Sequence, residues 1–463
     1  MSDVIRCVSP VDDSVYVELP IATAGEIEKT FAAAHAAQAK WRKTAIAERA
    51  AICEKAVDAM LAMRDEIVPE LAWQMGRPVR FGGGELNGFE ERARYMISIA
   101  QKALAPVDPG PKEGFERYIT REPVGVSLVI APWNYPYLTA VNAIVPALMA
   151  GNAVVLKHAS STPLVAKRFQ QAFDAAGLPE GLFSHLFLSH GQTREIITSG
   201  KADMVNFTGS VPGGKAMEDA AAGRFIPVGL ELGGKDPAYV RADADVDFSA
   251  EGLVDGAFFN SGQSCCGVER IYVHEDVYDD FVEKFVAITK QYVLGNPLDE
   301  KTTLGPMVKA SAADFVRGQI EEALKAGAKA HIDPKDFPMD APGTPYMAPQ
   351  VLTGVDHSMS VMSEESFGPV IGIMKVSGDE EALRLMNDSE FGLTASVWTK
   401  DVAAARAMSD DIEAGTIYMN RSDYLDPALA WTGYKNSGRG VTLSVIGYEA
   451  MTRPKSHHFR VKI

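Results

Sequence analysis

The sequence contains few cysteines, and their spacing forms no pattern. Its 463 residues include Cys7, Cys53, Cys265 and Cys266, with no CxxC pair and no pair of histidines nearby. This argues against a disulfide framework and against a zinc site, and it is typical of a protein from a reducing compartment. We therefore predict that the protein holds no metal and is cytoplasmic.

Basic residues are also in the minority. The 61 acidic side chains outnumber the 45 basic ones and leave a formal net charge of −16. Without a basic excess to replace counterions, neither nucleic acid nor an anionic membrane is expected as the main partner. No apolar run approaches the roughly 18 residues of a membrane span, and the polar N-terminus has no apolar core of signal-peptide length. The expectation is a soluble, untargeted protein.

A GxGxxG fingerprint for dinucleotides is missing too, although the order of strands and helices favours nucleotide binding. Short apolar runs at 153–157, 183–188 and 203–207 are each followed by a polar turn and a helical pattern. Repeated strand and helix units of this kind predict a parallel, doubly wound sheet. Such sheets bind ligands outside the carboxyl ends of their strands.

Two of those carboxyl ends carry candidate coenzyme residues. Lys157 ends the first strand, and Ser160 follows it in a polar turn. Gly209, Ser210 and Gly214 follow the third strand at the start of a helix, where backbone N–H groups can approach a pyrophosphate. Since glycine-rich turns are mostly only turns, these residues alone do not establish a coenzyme site.

Two reactive side chains stand out in the middle of the chain. Glu231 ends an apolar, strand-like run within LELGGK, and Cys265 follows small, flexible residues within GQSC. Covalent catalysis by a thiolate needs a base that prepares the water for product release. Each residue alone has a simpler explanation, because a lone glutamate is usually a solvated carboxylate and a lone cysteine a small buried hydrophobe.

Asn134 lies in a rigid turn, PWNYP, between a predicted strand and an apolar helix. An amide at such a turn can donate a hydrogen bond to a developing oxyanion, and one such donor contributes about 3 kcal/mol to transition-state stabilisation. The same residue type also caps helices. Spacing alone favours the cap.

PWNYP, FTGSxxxGK, LELGGK, GQSC and EESFGPV occur in this order along the chain, followed by WTGYKNSG near its end. In these motifs, and over about residues 22–463, the sequence resembles the NAD(P)-dependent, non-acylating enzymes of the aldehyde dehydrogenase superfamily. The resemblance implies an α/β fold in which residues 1–115 and 135–231 form a doubly wound parallel-sheet coenzyme domain. It implies a second α/β catalytic domain at 232–420 and a small β oligomerisation arm from strands at 116–134 and 450–463. The expected assembly is a homodimer or homotetramer.

The resemblance also implies roles for individual residues. Cys265 becomes the nucleophile and Glu231 the general base, and Asn134 with the Cys265 backbone N–H stabilises the oxyanion. In EESFGPV the second glutamate is expected to hold the nicotinamide ribose beside an aromatic ring, although an acidic turn in solvent would look the same in sequence. The expected coenzyme residues are Trp133, Lys157, Ser160, Gly209, Ser210, Gly214, Glu365 and Phe367.

Three departures from the family pattern refine these expectations. Most NAD-preferring members carry a glutamate where this chain has Ser160, so we expect both NAD and NADP to be accepted, with Lys157 and His158 nearby. Many relatives also have a lysine and a glutamate that pass protons from the base. Here Ala143 and Thr442 occupy those places, which predicts a different water route from Glu231.

The third departure concerns the substrate. Relatives that oxidise succinate semialdehyde carry arginines at positions that align with Asn142 and Phe259, neither of which is basic here. An aromatic-lined tunnel for neutral aromatic or aliphatic aldehydes is therefore expected, with Arg421 as a candidate for a basic group elsewhere. The expected tunnel residues are Tyr135, Leu138, Asn142, Phe259 and Trp431.

Three alternatives remain open. The substrate can be a carboxylated aldehyde such as succinate semialdehyde. Coenzyme A can replace water in releasing the product, although relatives of that type commonly lack the base at the position of Glu231. The chain can also be a non-catalytic binding protein that reuses the fold.

Overall fold

The computed structural model describes residues 4–463; residues 1–3, the start of the predicted coenzyme domain, lie outside the described range. Up to Glu231 the elements in chain order are β1 (Val4–Val8), β2 (Val15–Pro20), α1 (Ala24–Trp41), α2 (Ile46–Ala62), α3 (Arg64–Met75), α4 (Val79–Ala103), β3 (Phe115–Pro123), β4 (Val126–Ala131), α5 (Pro136–Ala150), β5 (Ala153–His158), α6 (Leu164–Ala175), β6 (Phe183–His185), α7 (His190–Thr198), β7 (Met204–Thr208), α8 (Val211–Ala221) and β8 (Val228–Glu231).

The remaining elements form the second half of the molecule and its C-terminal return. They are β9 (Asp236–Val240), α9 (Val246–Phe258), β10 (Val268–His274), α10 (Tyr278–Thr289), α11 (Ala310–Lys325), β11 (Lys329–Ala330), β12 (Gln350–Thr353), α12 (Ser360–Ser363), β13 (Val370–Val376), α13 (Asp379–Asn387), β14 (Phe391–Gly392), β15 (Thr394–Trp398), α14 (Val402–Ser409), β16 (Thr416–Met419), β17 (Tyr434–Lys435), β18 (Gly438–Arg439), α15 (Ser444–Ala450) and β19 (Thr452–Arg460).

The first half is built on a six-stranded sheet with the order β18-β8-β7-β4-β5-β6. Its strands are parallel except for β18, which pairs antiparallel with β8 at the edge. The chain runs outward from β4 in both directions, first through β5 and β6 and then through β7 and β8. This is a doubly wound arrangement, and its ligand crevice is expected at the carboxyl ends of β4 and β7.

The placement of β4 corrects one predicted boundary. Residues 116–134 were expected to belong to the oligomerisation arm, but β4 lies between β5 and β7 at the centre of the six-stranded sheet. All six of its residues are buried. A strand covered on both faces reads as an unbroken apolar run, and Val126–Ala131 has that pattern. The arm strand ends at Pro123, which cannot donate a ladder hydrogen bond.

The second half is built on a seven-stranded sheet with the order β11-β12-β13-β10-β9-β15-β16. All neighbouring pairs are parallel except β11 with β12. Separate apolar clusters cover its two faces. Two α/β halves, the first of them doubly wound, confirm the predicted fold class.

A two-stranded ribbon extends the fold. β3 pairs antiparallel with β19 from Thr452 opposite Pro123 to Arg460 opposite Phe115. On its surface the rings of Tyr118 and His457 stack at 4.3 Å between centroids. The ribbon matches the strands expected for the arm, and its use in an assembly stays a prediction.

The two sheets meet at the edge where the candidate residues lie. β4, β7 and β8 end towards this edge, whereas β9, β10 and β13 start from it, because Glu231 and Asp236 are only a short turn apart. The loop before β10 and the loop before β13 touch: a Cβ at Gly262 would lie 2.2 Å from the carbonyl oxygen of Gly368. Only glycine permits this approach, which brings the Cys265 loop against the EESFGPV segment.

The helices before β3 pack on the first sheet and form one wall of the site. α1 starts with a capping box at Thr23, whose side chain accepts from the Glu26 N–H at 3.2 Å. In the described part of the chain, no helix combines the length and the apolar character required to cross a membrane.

Candidate active site

A cavity of about 360 Å³ lies beside Cys265 between the two halves. We call it the Cys265 cavity. Its wall contains both Cys265 and Glu231, together with four of the five predicted tunnel residues. These are Tyr135, Leu138, Phe259 and Trp431. Two reactive side chains from distant parts of the sequence therefore face one space.

The backbone before Cys265 is folded into a tight left-handed turn. Asn260, Ser261 and Gly262 have φ values of 54°, 57° and 71°. Non-glycine residues adopt this region at a cost and are found in it mostly at functional sites. Ser261 is held there because its hydroxyl donates to the Gly305 carbonyl at 2.8 Å. The turn fixes the position from which the half-buried Cys265 enters the cavity.

Cys266 is a poor competitor for the role of nucleophile. Its thiol donates to Asp423 Oδ1 at 3.0 Å. The hydrogen bond to the Cys265 thiol, together with burial and the nearby Asp423 carboxylate, raises the pKa of Cys266 well above its usual range. Since the thiolate is the reactive form of cysteine, this shift disfavours Cys266 as a nucleophile.

Glu231 ends β8 with both carboxylate oxygens hydrogen-bonded. Thr442 Oγ1 donates to Oε1 at 2.5 Å, and Thr208 Oγ1 donates to Oε2 at 3.1 Å. Burial raises the pKa of Glu231, although these two hydrogen bonds and the positive charge of Arg92 oppose the shift. A carboxylate with a raised pKa is a stronger base near neutral pH.

Asn134 lies against the cysteine loop rather than in open space. Its side chain is buried, and Nδ2 donates to the Gln263 carbonyl at 3.1 Å. Nδ2 carries two hydrogens, and this bond uses one of them. The Asn134 carbonyl accepts from Asn260 Nδ2 at 3.2 Å, which ties the PWNYP turn to the same loop.

The predicted nicotinamide residues come together as a group. The rings of Trp133 and Phe367 meet edge to face at 5.7 Å between centroids. Glu365 Oε1 accepts from the Gly234 N–H at 3.1 Å, and burial raises the pKa of Glu365 to about 7. Placed beside two rings, the Glu365 carboxyl group has a second oxygen that can bond to the hydroxyls of a ribose.

A buried ion pair supports this segment and was not anticipated from the sequence. Lys235 Nζ lies 2.7 Å from Glu269 Oε2 and donates to Ser366 Oγ at 3.0 Å. Glu269 also accepts from the N–H groups of Ser366 and Phe367 at 2.8 and 2.9 Å. Breaking such a pair leaves a buried charge uncompensated, so the backbone around Glu365 is held firmly.

The glycine-rich turn after β7 differs from expectation. The N–H of Gly209 donates to the Glu231 carbonyl at 3.0 Å, and the N–H of Gly214 donates to the Ser210 carbonyl at 2.9 Å. Neither N–H is free for a pyrophosphate. Ser210 caps α8 by accepting from Gly213. Gly214 is needed for packing, since a Cβ there would lie 2.7 Å from Leu232.

The residues at the end of β5 and in the turn that follows contribute less positive charge than expected. His158 is buried, and its ring nitrogens lie 3.3 Å from the Pro136 carbonyl oxygen and 3.1 Å from Thr162 Oγ1. Burial lowers the pKa of His158 to about 4, so the imidazole is neutral at physiological pH. Lys157 is half-buried and Ser160 is exposed. Of the three, only Lys157 offers a cation to an adenosine ribose or its phosphate.

Asn142 does not line the Cys265 cavity, which corrects its assignment to the tunnel. It lies four residues after Leu138 on α5, which carries it about 6 Å further along the helix axis. There it lines a second cavity on the far side of Glu231. Alignment to the family motif placed Asn142 on the correct helix. It could not show that the Cys265 cavity ends before this position along the helix.

Arg92 was missed from the sequence although it lines the Cys265 cavity. It is 8 % exposed, and Nη1 donates to the Leu138 carbonyl at 2.7 Å. No carboxylate among residues 4–463 forms an ion pair with it, whereas Arg77 in the same wall pairs with Glu85. The sequence did contain a signal that Arg92 is buried, because it falls at helical spacing among the apolar residues Leu86, Phe89 and Met96 of α4.

Arg421, the candidate considered earlier, does not line the Cys265 cavity but lies against Tyr424, which does. It is exposed, and its guanidinium stacks on the Tyr424 ring with 3.5 Å between the guanidinium carbon and the ring centroid.

A doubly wound sheet whose carboxyl edge faces a cysteine and a glutamate in one cavity defines a coenzyme-dependent dehydrogenase of two α/β halves. The chain belongs to the aldehyde dehydrogenase family, whose sequence profile matches residues 1–457. It is therefore an enzyme of that family.

Similarity to individual proteins extends over nearly the whole chain. A succinate-semialdehyde dehydrogenase [NADP(+)] of Mycobacterium avium is 33% identical over 455 residues, covering 98% of this chain and 96% of that protein. An aldehyde dehydrogenase of Paenarthrobacter nicotinovorans is 37% identical over 437 residues, covering 94% and 95%. The crystal structure of an aldehyde dehydrogenase from Brucella melitensis superposes with a TM-score of 0.95 at 30% identity, covering 99% and 94%.

Proposed function

We propose that the protein oxidises an aldehyde to its carboxylic acid with NAD or NADP, through a covalent adduct on Cys265. The observation that carries this proposal is the single cavity shared by Cys265 and Glu231. Membership of the family and the NADP-dependent relative from Mycobacterium avium support the reaction and the coenzyme.

The proposed chemistry assigns each step to a side chain. The Cys265 thiolate attacks the aldehyde carbon and forms a thiohemiacetal, whose oxyanion accepts from the Cys265 backbone N–H and from the second N–H of Asn134. When bound, the nicotinamide supplies hydride acceptance. Loss of hydride leaves a thioester on Cys265. Glu231 takes a proton from the water that attacks this thioester, the C–S bond breaks, and the acid leaves.

Product analysis tests this reaction. Purified protein is incubated with aliphatic, aromatic and carboxylated aldehydes, each with NAD and with NADP, and both acid and reduced coenzyme are measured. We expect equal amounts of the two and no change on adding coenzyme A, because water resolves the thioester. A strict need for coenzyme A would contradict hydrolysis. No turnover across the panel would favour a binding protein.

Two substrate classes have support in the cavity wall. The apolar rings of Phe81 and Phe259, which meet edge to face at 5.3 Å, and the buried Trp431 favour neutral aldehydes. Arg92 favours an aldehyde with a carboxylate, as in the substrate named for the Mycobacterium avium relative. Burial lowers the pKa of Arg92, but arginine stays charged. Arg92 forms no direct ion pair within residues 4–463, and a substrate carboxylate in the cavity would supply one.

Arg92→Gln is predicted to separate these two classes. If Arg92 binds a carboxylate, kcat/KM for succinate semialdehyde falls by roughly 30-fold or more, as expected when one partner of a buried charge pair is removed. The value for butanal, which has the same chain length, changes little. The measurement is steady-state kinetics on both aldehydes, with the melting temperature as a check on folding.

Arg194→Gln, on the exposed surface of α7, is the matched control, because it removes the same charge away from the cavity, and both aldehydes should react as in the wild type. An equal loss for both aldehydes in Arg92→Gln would mean that Arg92 does not select the substrate. Wild-type rates that favour neutral aldehydes by more than about tenfold would support the tunnel expected from the sequence.

A further inference from the structure

The wall of the Cys265 cavity contains two buried charges that the proposed chemistry does not use. Arg77 lies in the turn between α3 and α4 and is 2 % exposed, and Glu85 lies on α4 and is 1 % exposed. They form an ion pair with each other. A buried pair adds little net stability, because the desolvation of both charges offsets their attraction. The other contacts of these two side chains indicate what the pair does.

Arg77 joins the PWNYP turn to the cysteine loop. Its Nη2 donates to the Asn134 carbonyl at 2.5 Å, and its Nε donates to Asn260 Oδ1 at 3.2 Å. Asn260 Nδ2 in turn donates to the carbonyls of Asn134 and Gln263. The rigid fork of a guanidinium holds both asparagines at once, which a single ammonium does not. Arg77 thus fixes the amide of Asn134 relative to the loop that leads to Cys265.

Glu85 holds the start of α5, the helix that follows the PWNYP turn. Its Oε1 accepts from the N–H groups of Tyr137 and Leu138 at 2.9 and 3.0 Å, and its Oε2 accepts from Arg77. The first N–H groups of a helix have no partner within the helix and favour a negative charge. The ion pair therefore fixes Asn134 twice, through its own carbonyl and through the helix that begins after it.

The loop bonded to Arg77 is strained. Asn260 and Ser261 have left-handed backbone angles, which residues other than glycine keep only where their surroundings enforce them. Arg77 also lies against the ring of Tyr135, with 4.5 Å between the guanidinium carbon and the ring centroid. Without the ion pair, the loop and the turn would be free to shift relative to each other. A misplacement of about 1 Å at a reacting centre lowers a rate by about 100-fold.

We propose that Arg77 and Glu85 act together as positioning residues that set the distance between the Asn134 amide and the Cys265 sulfur. This rests on the proposed attack of Cys265 on the aldehyde. The pair keeps the second N–H of Asn134 aimed at the oxyanion that forms together with the C–S bond. Its loss should slow formation of the acyl-enzyme without weakening the binding of the aldehyde.

The double variant Arg77→Met/Glu85→Gln tests the proposal, because it removes both charges together and leaves neither uncompensated. The burst of reduced coenzyme is followed by rapid mixing at increasing concentrations of the best wild-type substrate. We expect the maximal burst rate to fall by about 100-fold. The half-saturating aldehyde concentration should stay within about threefold of the wild type, since the lost interaction is made only in the transition state. Alkylation of Cys265 by iodoacetamide forms no oxyanion, so its rate should change by less than about twofold.

A double-mutant cycle with Asn134→Ala separates positioning from a general loss of structure. If the pair acts through the amide, its removal from Asn134→Ala should lower the burst rate by less than about fivefold, because effects of coupled residues are not additive. Asp379→Asn is the matched control, because it weakens an ion pair at the far end of β9, where Arg241 Nη2 lies 2.8 Å from Asp379 Oδ2. Its burst rate should equal that of the wild type.

Three results would overturn the positioning role: a wild-type burst rate in the folded double variant, a loss that persists in full in the Asn134→Ala background, or an equal loss of Cys265 alkylation. If the double variant does not fold, the same measurements are made on Arg77→Lys, which keeps a charge beside Glu85 but loses the fork, and a roughly tenfold slower burst is expected. The same three results would contradict the proposal there. A failure of the proposed function is distinct, because the wild type itself would then show no burst of reduced coenzyme.

Discussion

Cys265→Ala is expected to abolish aldehyde oxidation. Removing the nucleophile of an enzyme that works through a covalent intermediate typically lowers the rate by at least about a thousandfold. The half-buried thiol faces the Cys265 cavity and has no substitute there, because the pKa of Cys266 is held high by the neighbouring thiol and by burial. The measurement is reduced coenzyme formed per enzyme, together with mass spectrometry of the protein after mixing with aldehyde and coenzyme.

Cys266→Ala is the matched control, since it removes the adjacent thiol. It should retain most of the activity, and its first turnover should still show an acyl group on Cys265. The loss of the Cys266 hydrogen bond to Asp423 should appear mainly as a lower melting temperature. Full activity in Cys265→Ala, or complete loss in Cys266→Ala, would show that the nucleophile had been assigned to the wrong thiol.

Glu231→Gln is expected to stop the reaction after hydride transfer. Glutamine keeps the shape of the side chain but cannot take a proton, and loss of a general base lowers the rate by about 100-fold to 10,000-fold. One equivalent of reduced coenzyme should form quickly, and the acyl-enzyme should accumulate. Rapid mixing and mass spectrometry of the intact protein measure both.

The pH dependence of acyl-enzyme decay provides an independent readout. The base is active only when ionised, and burial raises the pKa of Glu231. In the wild type, decay should therefore be fast above this raised pKa and slow as the pH falls through it. Glu231→Gln should remove that dependence. If the variant also loses the initial burst, Glu231 is needed to activate the thiol rather than the water.

Local sequence patterns predicted the elements well where local physics decides them. Thr23 and Glu26 form a capping box at the start of α1, as a threonine followed three residues later by a glutamate indicates. The apolar runs of the coenzyme half became parallel strands, because alternation with helices favours that arrangement. Val126–Ala131 shows the limit of such patterns, since a buried apolar strand looks the same at any place in a sheet. Only the long-range pairing with β5 and β7 decided its position.

The site shows the same division between local and long-range information. The chemistry of Cys265 and Glu231 is a property of their side chains and motifs. The hydrogen bond from the Gly209 N–H to the Glu231 carbonyl joins two segments that no local pattern connects. Arg92 illustrates this most clearly, because a charged residue on a buried helix face is visible in sequence but the space it faces is not.

The sequence by itself determined the family and the α/β class and proposed the reactive residues, because these depend on side-chain chemistry and on short-range periodicity. The tertiary structure alone decided that Glu231 lies between two cavities, that Asn142 belongs to the wall of the second, and that Arg92 lines the first without an ion-pair partner among residues 4–463. A cavity forms where segments that are distant in the sequence do not fill the space between them. No single stretch of sequence therefore specifies its whole wall.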